Sequence, residues 1–193
     1  LSEEAKALNV LVELGGAQMY ERVEGETAGA FTVTGGRKGP DYTYEEGVLT
    51  IISDTPITIA NTEPNTATSD RIEVARDVAA DITLAGVNID VSSNSGTAAF
   101  KIASDSTGNV TITLADDSIN TLKSGNNCAG LQKNGGEENI GKLTIQGGTN
   151  GTGKLIAEGG RQYGGAGIGG GDFGSGSNIH IKGGTLEATS NSQ

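Results

Sequence analysis

Short segments in which apolar and polar residues alternate recur along residues 80–189. Four of them have similar sequences, at residues 81–86, 110–114, 142–148 and 178–184, and they lie about 30 to 36 residues apart. Strict alternation predicts half-buried β-strands, because successive side chains of a strand point to opposite faces. The uneven spacing excludes a propeller of identical blades, and the turn-forming residues between the copies exclude long helices.

Two further strand-like segments follow the first one within each period. Such a pattern predicts a coil with three strands per turn, in which each turn buries its apolar face only by stacking on a neighbour. We therefore predict an all-β protein, a single-stranded right-handed parallel β-helix of about four to five turns. The strands predicted from residue 82 onwards are residues 82–84, 87–91, 98–102, 110–114, 119–122, 129–132, 143–145, 154–157, 166–169, 179–181 and 185–188.

The segment before residue 80 predicts an earlier turn and a cap. Residues 48–52, 57–59 and 71–74 are its expected strands, and residues 61–70, rich in Thr, Asn and Pro, are an expected exposed loop. Residues 2–20 carry apolar side chains at helical spacing behind a capping serine, which predicts an α-helix. We expect this helix to cover the first turn of the coil, with docking to a partner as the alternative.

These elements divide the chain into two expected domains. Residues 1–46 form an N-terminal helix and cap region, and residues 47–193 form the β-helix. The last predicted turn is incomplete, so we expect the β-helix to be truncated at its C-terminus. An incomplete turn exposes a strand edge and an apolar end. We therefore expect this end to continue in further domains of a longer chain or to associate end to end with another copy.

Composition and charge restrict the partners. The chain has 32 glycines, no tryptophan and 4% aromatic residues, which fits a thin aliphatic core with glycine and polar residues at the corners. A net charge of -11 argues against nucleic acid and anionic membrane surfaces, since both bind clustered Lys and Arg. The sequence contains neither a signal peptide nor a run suited to membrane insertion. This composition is compatible with bacterial export, and we expect an extracellular or cell-surface location.

Two residues are expected to have structural roles. Cys128 is the single cysteine, so it cannot form an internal disulfide, and its apolar neighbours favour a small buried filler over a reactive thiol. Asn120 lies where inward-facing asparagines of parallel β-helices form ladders at the corners. Stacked amides there satisfy one another and the backbone groups of the bend.

The sequence predicts no nucleotide, haem or zinc. Residues 165–170 match the spacing of a dinucleotide fingerprint, but a strand follows them instead of the helix that holds a pyrophosphate. His180 is the single histidine, and its strand pattern places it on the outer face without a neighbouring Cys or His. A lone histidine of this kind is more often plain surface than a zinc ligand.

A pair of carboxylates, Asp116 and Asp117, follows a strand and precedes a corner. Three interpretations are open: hydrogen bonding of the turn by its own aspartates, oxygen ligands for Ca²⁺, and a general acid–base pair for glycoside cleavage. The first is the simplest. Calcium is the cofactor that this pattern allows.

The candidates for ligand binding lie in the glycine-rich segment near the C-terminus. Exposed aromatic rings beside polar groups are the usual device for binding a sugar, because a pyranose face is partly apolar. Tyr163 and Phe173 flank the glycine-rich loop and provide such rings, unless they fold inward over the glycines. Arg161 and Asp172 accompany them in the same segment and complete the candidate set.

Five phrases together resemble one known family. They are residues 109–114, 120–125, 128–131, 165–171 and 181–188. The resemblance is to the β-helical surface repeats of gut-type Firmicutes, often described as carbohydrate-binding-domain proteins. It implies a non-catalytic, pectate-lyase-like right-handed β-helix on large exported proteins, which in some relatives binds polysaccharide with calcium. Residues 4–15 look like the helix of a surface-layer anchoring module, but the chain departs from that pattern beyond Gly16, so this role is not carried over.

Taken together, these patterns predict an extracellular cell-surface module for glycan binding or cell adhesion, without catalysis. The expected partner is a polysaccharide or a host glycan. One alternative is a calcium-dependent polysaccharide lyase or hydrolase, for which Arg161 and Lys133 are the candidate bases. The other alternative is a structural spacer within a large surface protein.

Overall fold

The computed structural model describes residues 10–11, 20–21, 25–137, 140–162, 164–172 and 174–191. All regular secondary structure within these ranges is β-strand, and they contain no helix. The strands, in chain order, are β1 Val10–Leu11, β2 Tyr20–Glu21, β3 Glu26–Ala28, β4 Phe31–Gly35, β5 Tyr42–Glu45, β6 Val48–Ile51, β7 Ile57–Asn61, β8 Arg71–Val74, β9 Asp81–Leu84, β10 Asn88–Asp90, β11 Phe100–Ile102, β12 Val110–Leu114, β13 Ile119–Lys123, β14 Leu131–Gln132, β15 Leu143–Gly147, β16 Lys154–Glu158, β17 Ile168–Gly169, β18 Ile179–Ile181 and β19 Thr185–Thr189.

Apart from the β1–β2 pair, the strands form three sheets. Sheet I has the order β18-β15-β12-β9-β7-β4-β3, sheet II the order β10-β13-β16-β19, and sheet III the order β17-β14-β11-β8-β6-β5. From β9 onwards the chain enters sheets I, II and III in turn and then returns to sheet I. All pairings among β6 and the later described strands are parallel. This all-β arrangement of mostly parallel sheets is consistent with a β-helix-like class, as the sequence pattern indicated.

The core consists of aliphatic columns in which in-register residues of successive strands stack. In sheet I, Ile82 pairs in register with Ile112, which pairs with Ile145 and through it with Ile181. The first three are fully buried, whereas Ile181, on the last strand of the sheet, is 60% exposed. In β7, β12 and β16, for example, alternate residues face the core, as expected for strands with one face buried.

The earliest turn differs from the predicted one. β6 and β8, which were expected in a single turn, pair in parallel within sheet III, so they belong to successive turns. Between β7 and β8, where a strand of sheet II would be expected, the chain forms an isolated parallel β-bridge in which Thr68 pairs with Ile89. Residues 62–67 are exposed, and this polar loop provides no apolar pattern for a longer strand.

The predicted N-terminal helix is wrong at the positions that can be compared. Strands β1 and β2 pair antiparallel at residues 10–11 and 20–21, and the rest of residues 2–20 lies outside the described residues. Consecutive apolar residues with β-branched valine suit a strand as well as a helix, so spacing alone did not discriminate. The described N-terminal edges of sheets I and III are antiparallel strands: β3 and β4 lie beyond β7, and β5 lies beyond β6.

Glycine allows close approach of successive turns at the corner between sheets II and III. A Cβ at Gly125 would clash with the carbonyl oxygen of Asn94 in the preceding turn, and one at Gly160 would clash with the carbonyl oxygen of Gly125. Only glycine fits a backbone that lies against another backbone at this distance. Part of the high glycine content is therefore explained by the stacking of this corner.

Candidate functional site

The outward face of sheet II carries a row of charged side chains from successive turns. Asp90 of β10 is in register with Lys123 of β13, which is in register with Glu158 of β16 and through it with Thr189 of β19. Lys123 Nζ lies 3.3 Å from Glu158 Oε1, and both side chains remain about one-third exposed. Alternation along each strand aligns these residues, because all of them occupy outward positions.

The charges in this row are balanced by local contacts. Asp90 accepts hydrogen bonds from the Ser92 hydroxyl at 2.6 Å and from the Ser92 backbone N–H at 3.0 Å. The hydroxyl contact, and the nearby charge of Lys123, hold the pKa of Asp90 below its usual value, against the opposing effect of burial. A second ion pair on the same sheet joins Lys154 Nζ to Glu187 Oε1 at 2.6 Å. The outward face of sheet II is therefore a mixed-charge surface.

A groove of about 470 Å³, here called the Arg161 groove, runs beside this row at the corner between sheets II and III. Two carboxylates and two basic groups contribute to its lining, so its formal charge is close to zero although the chain carries -11. Its polar lining includes Asp90, Ser92, Lys123, Glu158, Arg161 and Asn191. Such a groove provides donors and acceptors in several directions without attracting or repelling a charged ligand strongly.

A second groove, of about 580 Å³, lies at the opposite corner, between sheets I and II. Asp116, Asp117 and Asn61 line it together with Ile119, whose side chain is 61% exposed. We call it the Asp116 groove. The two grooves therefore flank the outward face of sheet II.

Asp116 hydrogen-bonds the backbone of the next turn. Its Oδ2 accepts from the N–H of Asn150 at 2.8 Å, and its Oδ1 accepts from the N–H of Thr152 at 3.2 Å. The Asn150 bond is the main reason that the pKa of Asp116 lies below its usual value. Asp117 has a φ of 59°, and its backbone N–H donates to Thr152 Oγ1 at 2.9 Å. These contacts stabilise the loop of the next turn, whereas the simplest interpretation expected the two aspartates to hydrogen-bond their own turn.

The calcium site expected at Asp116 and Asp117 stays a prediction. The described residues contain no group of three or more His, Cys, Asp and Glu side chains arranged to hold a metal ion. The two carboxylates would therefore need further oxygen ligands from backbone, amides or water.

Asn120 is fully buried and bonded to backbone groups of neighbouring turns. Its Oδ1 accepts from the N–H groups of Gly86 and Val87, both at 2.9 Å, and its Nδ2 donates to the carbonyl of Lys154 at 3.2 Å. Its register partner in β16 is Leu155, so the expected stack of amides does not continue on that side. The physical reason is that one amide here already satisfies backbone groups in both adjacent turns.

Cys128 is buried and unpaired. Burial raises the pKa of its thiol, which opposes formation of the reactive thiolate. His180 lies on the outer face of β18, in register with Thr144.

Two of the four candidate ligand-binding residues, Arg161 and Asp172, lie within the described part of the chain. Arg161 is exposed and lines the Arg161 groove. Asp172 lies in the loop after β17, where its backbone N–H donates to the carbonyl oxygen of Asn127 at 2.7 Å. Tyr163 and Phe173 lie outside the described residues, so the aromatic part of the candidate set is not assigned to either groove.

Sequence reasoning missed Lys123, Glu158 and Asn61. The predicted strands 119–122 and 154–157 each ended one residue before the charged residue that completes β13 or β16. Extending the alternation by one position would have placed Lys123 and Glu158 on the outer face. Asn61 is the last residue of β7, and its side chain accepts a hydrogen bond from the backbone N–H of Asn88 at 3.0 Å. The sequence pattern placed Asn61 in the expected exposed loop of residues 61–70, so this role at the corner was missed.

Comparison of the chain with protein-family models, with curated proteins and with solved structures found no significant match in any of the three. Within the described ranges, no helix has both the length and the apolar character needed to cross a membrane. Fold and site together define an all-β protein of mostly parallel sheets, with two grooves beside a mixed-charge sheet face.

Proposed function

We propose that the mostly parallel sheets form a right-handed parallel β-helix. Three sheets entered in a fixed order and parallel pairing between strands about one period apart support this architecture. Right-handed crossovers between parallel strands are by far the commonest. In this architecture the long axis is marked by the row from Asp90 to Thr189, and the two grooves run beside it.

On this scaffold we propose an extracellular, cell-surface module that binds glycans or mediates adhesion, without catalysis. The observation that carries the proposal is the Arg161 groove, which is polar and charge-balanced on an otherwise acidic chain. A neutral polyhydroxylated chain needs many hydrogen-bond donors and acceptors rather than a strong field. The resemblance to carbohydrate-binding surface repeats supports the same class of ligand.

The groove also has a suitable shape for an extended ligand. In-register stacking repeats outward-facing polar groups from one turn to the next, so Asp90, Lys123 and Glu158 form a line rather than a pocket. Neighbouring parallel strands are about 4.8 Å apart. A linear polysaccharide lying along this line would contact several turns at once, and weak contacts repeated along a chain add up.

The test is retention of the protein on a panel of neutral and acidic polysaccharides, with and without Ca²⁺, while reducing and unsaturated ends are assayed. We expect saturable retention on a neutral polysaccharide and no new ends. Arg161→Ala and Lys123→Ala should each weaken retention about tenfold, the effect of losing one charge-assisted hydrogen bond. Thr111→Ala, on the outer face of sheet I, is the matched control and should leave retention unchanged.

Three outcomes would overturn the proposal. New reducing or unsaturated ends would identify a polysaccharide lyase or hydrolase instead. No retention across the panel would favour the spacer. Retention that is insensitive to both groove variants would move the binding surface away from the Arg161 groove.

A further inference from the structure

Two loops from successive turns meet beside the corner between sheets II and III. Asn127 lies in the loop between β13 and β14, with a φ of 71°. Asp172 lies in the loop after β17, one turn further along the chain. The backbone N–H of Asp172 donates to the carbonyl oxygen of Asn127 at 2.7 Å, so the two residues are direct neighbours.

Both side chains contain a buried oxygen atom without a hydrogen-bond partner. Asn127 Oδ1 and Asp172 Oδ1 are the buried side-chain atoms of this kind among the described residues. A buried acceptor that receives no hydrogen bond is costly and rare in native proteins, and a bound ion or an ordered water commonly satisfies such an atom. Here two such acceptors come from residues that are neighbours in space, and one of the acceptors belongs to a carboxylate.

Further oxygen atoms lie near Gly171, the residue that precedes Asp172. Asn134 Oδ1 accepts a hydrogen bond from the N–H of Gly171 at 3.1 Å, and Gln132 Oε1 accepts one from the N–H of Ala129 at 3.2 Å. A Cβ at Gly171 would come within 2.7 Å of the Asn127 carbonyl oxygen and 3.0 Å of Gln132 Oε1. The absence of a side chain at Gly171 therefore lets these oxygen-bearing groups gather.

We propose that Asn127 and Asp172 bind a hard divalent cation, with Ca²⁺ as the best fit. Calcium takes carboxylate, amide and carbonyl oxygens in a flexible geometry, whereas zinc favours sulfur and imidazole ligands. The two Oδ1 atoms supply side-chain ligands from two different turns, and water completes the coordination. This site is separate from the Asp116–Asp117 pair, where the Asp116 oxygens already accept backbone hydrogen bonds.

A cation at this position would also stabilise a third loop, the one that contains Gln162. The backbone N–H of Asn127 donates to the Gln162 carbonyl at 3.1 Å, and Asn126 Oδ1 accepts from the Gln162 N–H at 3.3 Å. Ion binding to Asn127 and Asp172 would thus hold the loop that follows Arg161. A ligand that binds only the folded state raises the unfolding temperature in a concentration-dependent way.

The experiment is calorimetric titration of the whole chain, stripped of metal with a chelator, with CaCl₂ and in parallel with MgCl₂. Thermal unfolding is recorded over the same concentrations. We expect one saturable Ca²⁺ site, with a dissociation constant of about 10⁻⁵ to 10⁻³ M, weaker binding of Mg²⁺, and a rise in unfolding temperature with Ca²⁺. Asp172→Asn keeps the shape of the side chain but removes its charge, and it should weaken Ca²⁺ binding at least about tenfold.

Asp81→Asn, which replaces an exposed aspartate at the start of β9, is the matched control and should leave the calcium affinity unchanged. Weaker Ca²⁺ binding by Asp116→Asn, together with unchanged Ca²⁺ binding by Asp172→Asn, would overturn the proposal and place calcium at the Asp116–Asp117 pair. No saturable heat up to about 10 mM Ca²⁺ would also overturn it. Circular dichroism of each variant without metal separates loss of a ligand from loss of the fold.

Discussion

Asn120 Oδ1 accepts a hydrogen bond at 2.9 Å from the backbone N–H of Val87, which lies in the preceding turn. Both residues are fully buried. Asn120→Ala would leave this N–H and that of Gly86 without an acceptor. We expect the free energy of unfolding to fall by about 2–4 kcal/mol, the cost of two unsatisfied donors, as measured by urea denaturation.

The matched control is Thr121→Ala, the next residue of β13, whose side chain faces outward. It should cost less than about 1 kcal/mol. A similar loss for both variants would contradict the structural role assigned to the Asn120 amide. Because Asn120 bonds backbone groups in both adjacent turns, we also expect its replacement to reduce the cooperativity of unfolding.

Asp116 should make the protein sensitive to acid. Its pKa in the folded state lies below the usual 3.8, because the N–H of Asn150 donates to its carboxylate. For a lowered pKa, the stabilisation is fully present above the unfolded value and is lost as the pH falls through the folded one. Asp116→Asn should therefore be less stable than the wild type at neutral pH, and the difference should shrink as the pH falls below about 4.

Urea unfolding at neutral pH and at several acidic pH values checks this expectation. Asp81→Asn, an exposed aspartate at the start of β9, removes the same charge and serves as the control. A difference between wild type and Asp116→Asn that stays constant across the acidic range would count against a folded-state role of the Asp116 carboxylate.

The isoleucine column of sheet I offers a matched pair of cavity mutations. Ile112 is fully buried, whereas Ile181, two strands further along the same column, is 60% exposed. Ile112→Ala should lower the free energy of unfolding by about 2–5 kcal/mol, because it removes apolar contacts and leaves a cavity. Ile181→Ala should cost less than about 1 kcal/mol. Equal effects in chemical denaturation would contradict the difference in burial between Ile112 and Ile181.

Two tyrosines should resist ionisation in the folded protein. Burial, together with the hydrogen bond from its hydroxyl to Glu26 at 2.8 Å, raises the pKa of Tyr42. The hydrogen bond of Tyr44 to Asp70, at 2.8 Å, raises the pKa of Tyr44. Raised values contribute stability below the unfolded pKa of about 10, and that contribution disappears as the pH rises through the folded pKa.

Spectrophotometric titration of tyrosinate measures this directly. Of the four tyrosines, at least two should titrate above the usual pH in the native protein, whereas all should titrate together in denaturant. The double replacement of Tyr42 and Tyr44 by phenylalanine should remove the late-titrating groups alone. Ionisation of all four tyrosines near pH 10 in the folded protein would contradict the two tyrosine–carboxylate hydrogen bonds.

Local pattern was sufficient to place most strands. Residues 110–114 were predicted as a strand and form β12, and the predicted strand 119–122 differs from β13 by a single residue. Alternation of apolar and polar residues is a property of neighbouring positions, so it can be read without knowing what lies across the sheet. The same local reading failed at residues 10–11, where an apolar run was compatible with helix and strand alike.

The sequence by itself therefore determined the all-β class, most of the strands and the recurring period, because each depends on short-range alternation. Only the tertiary structure decided which polar residues meet. Lys123 and Glu158 are about 35 residues apart in sequence but adjacent across two strands, and Asn127 meets Asp172 in the same way. The register between turns depends on loop lengths and on core packing along the whole chain, so it cannot be predicted from the pattern of a short segment.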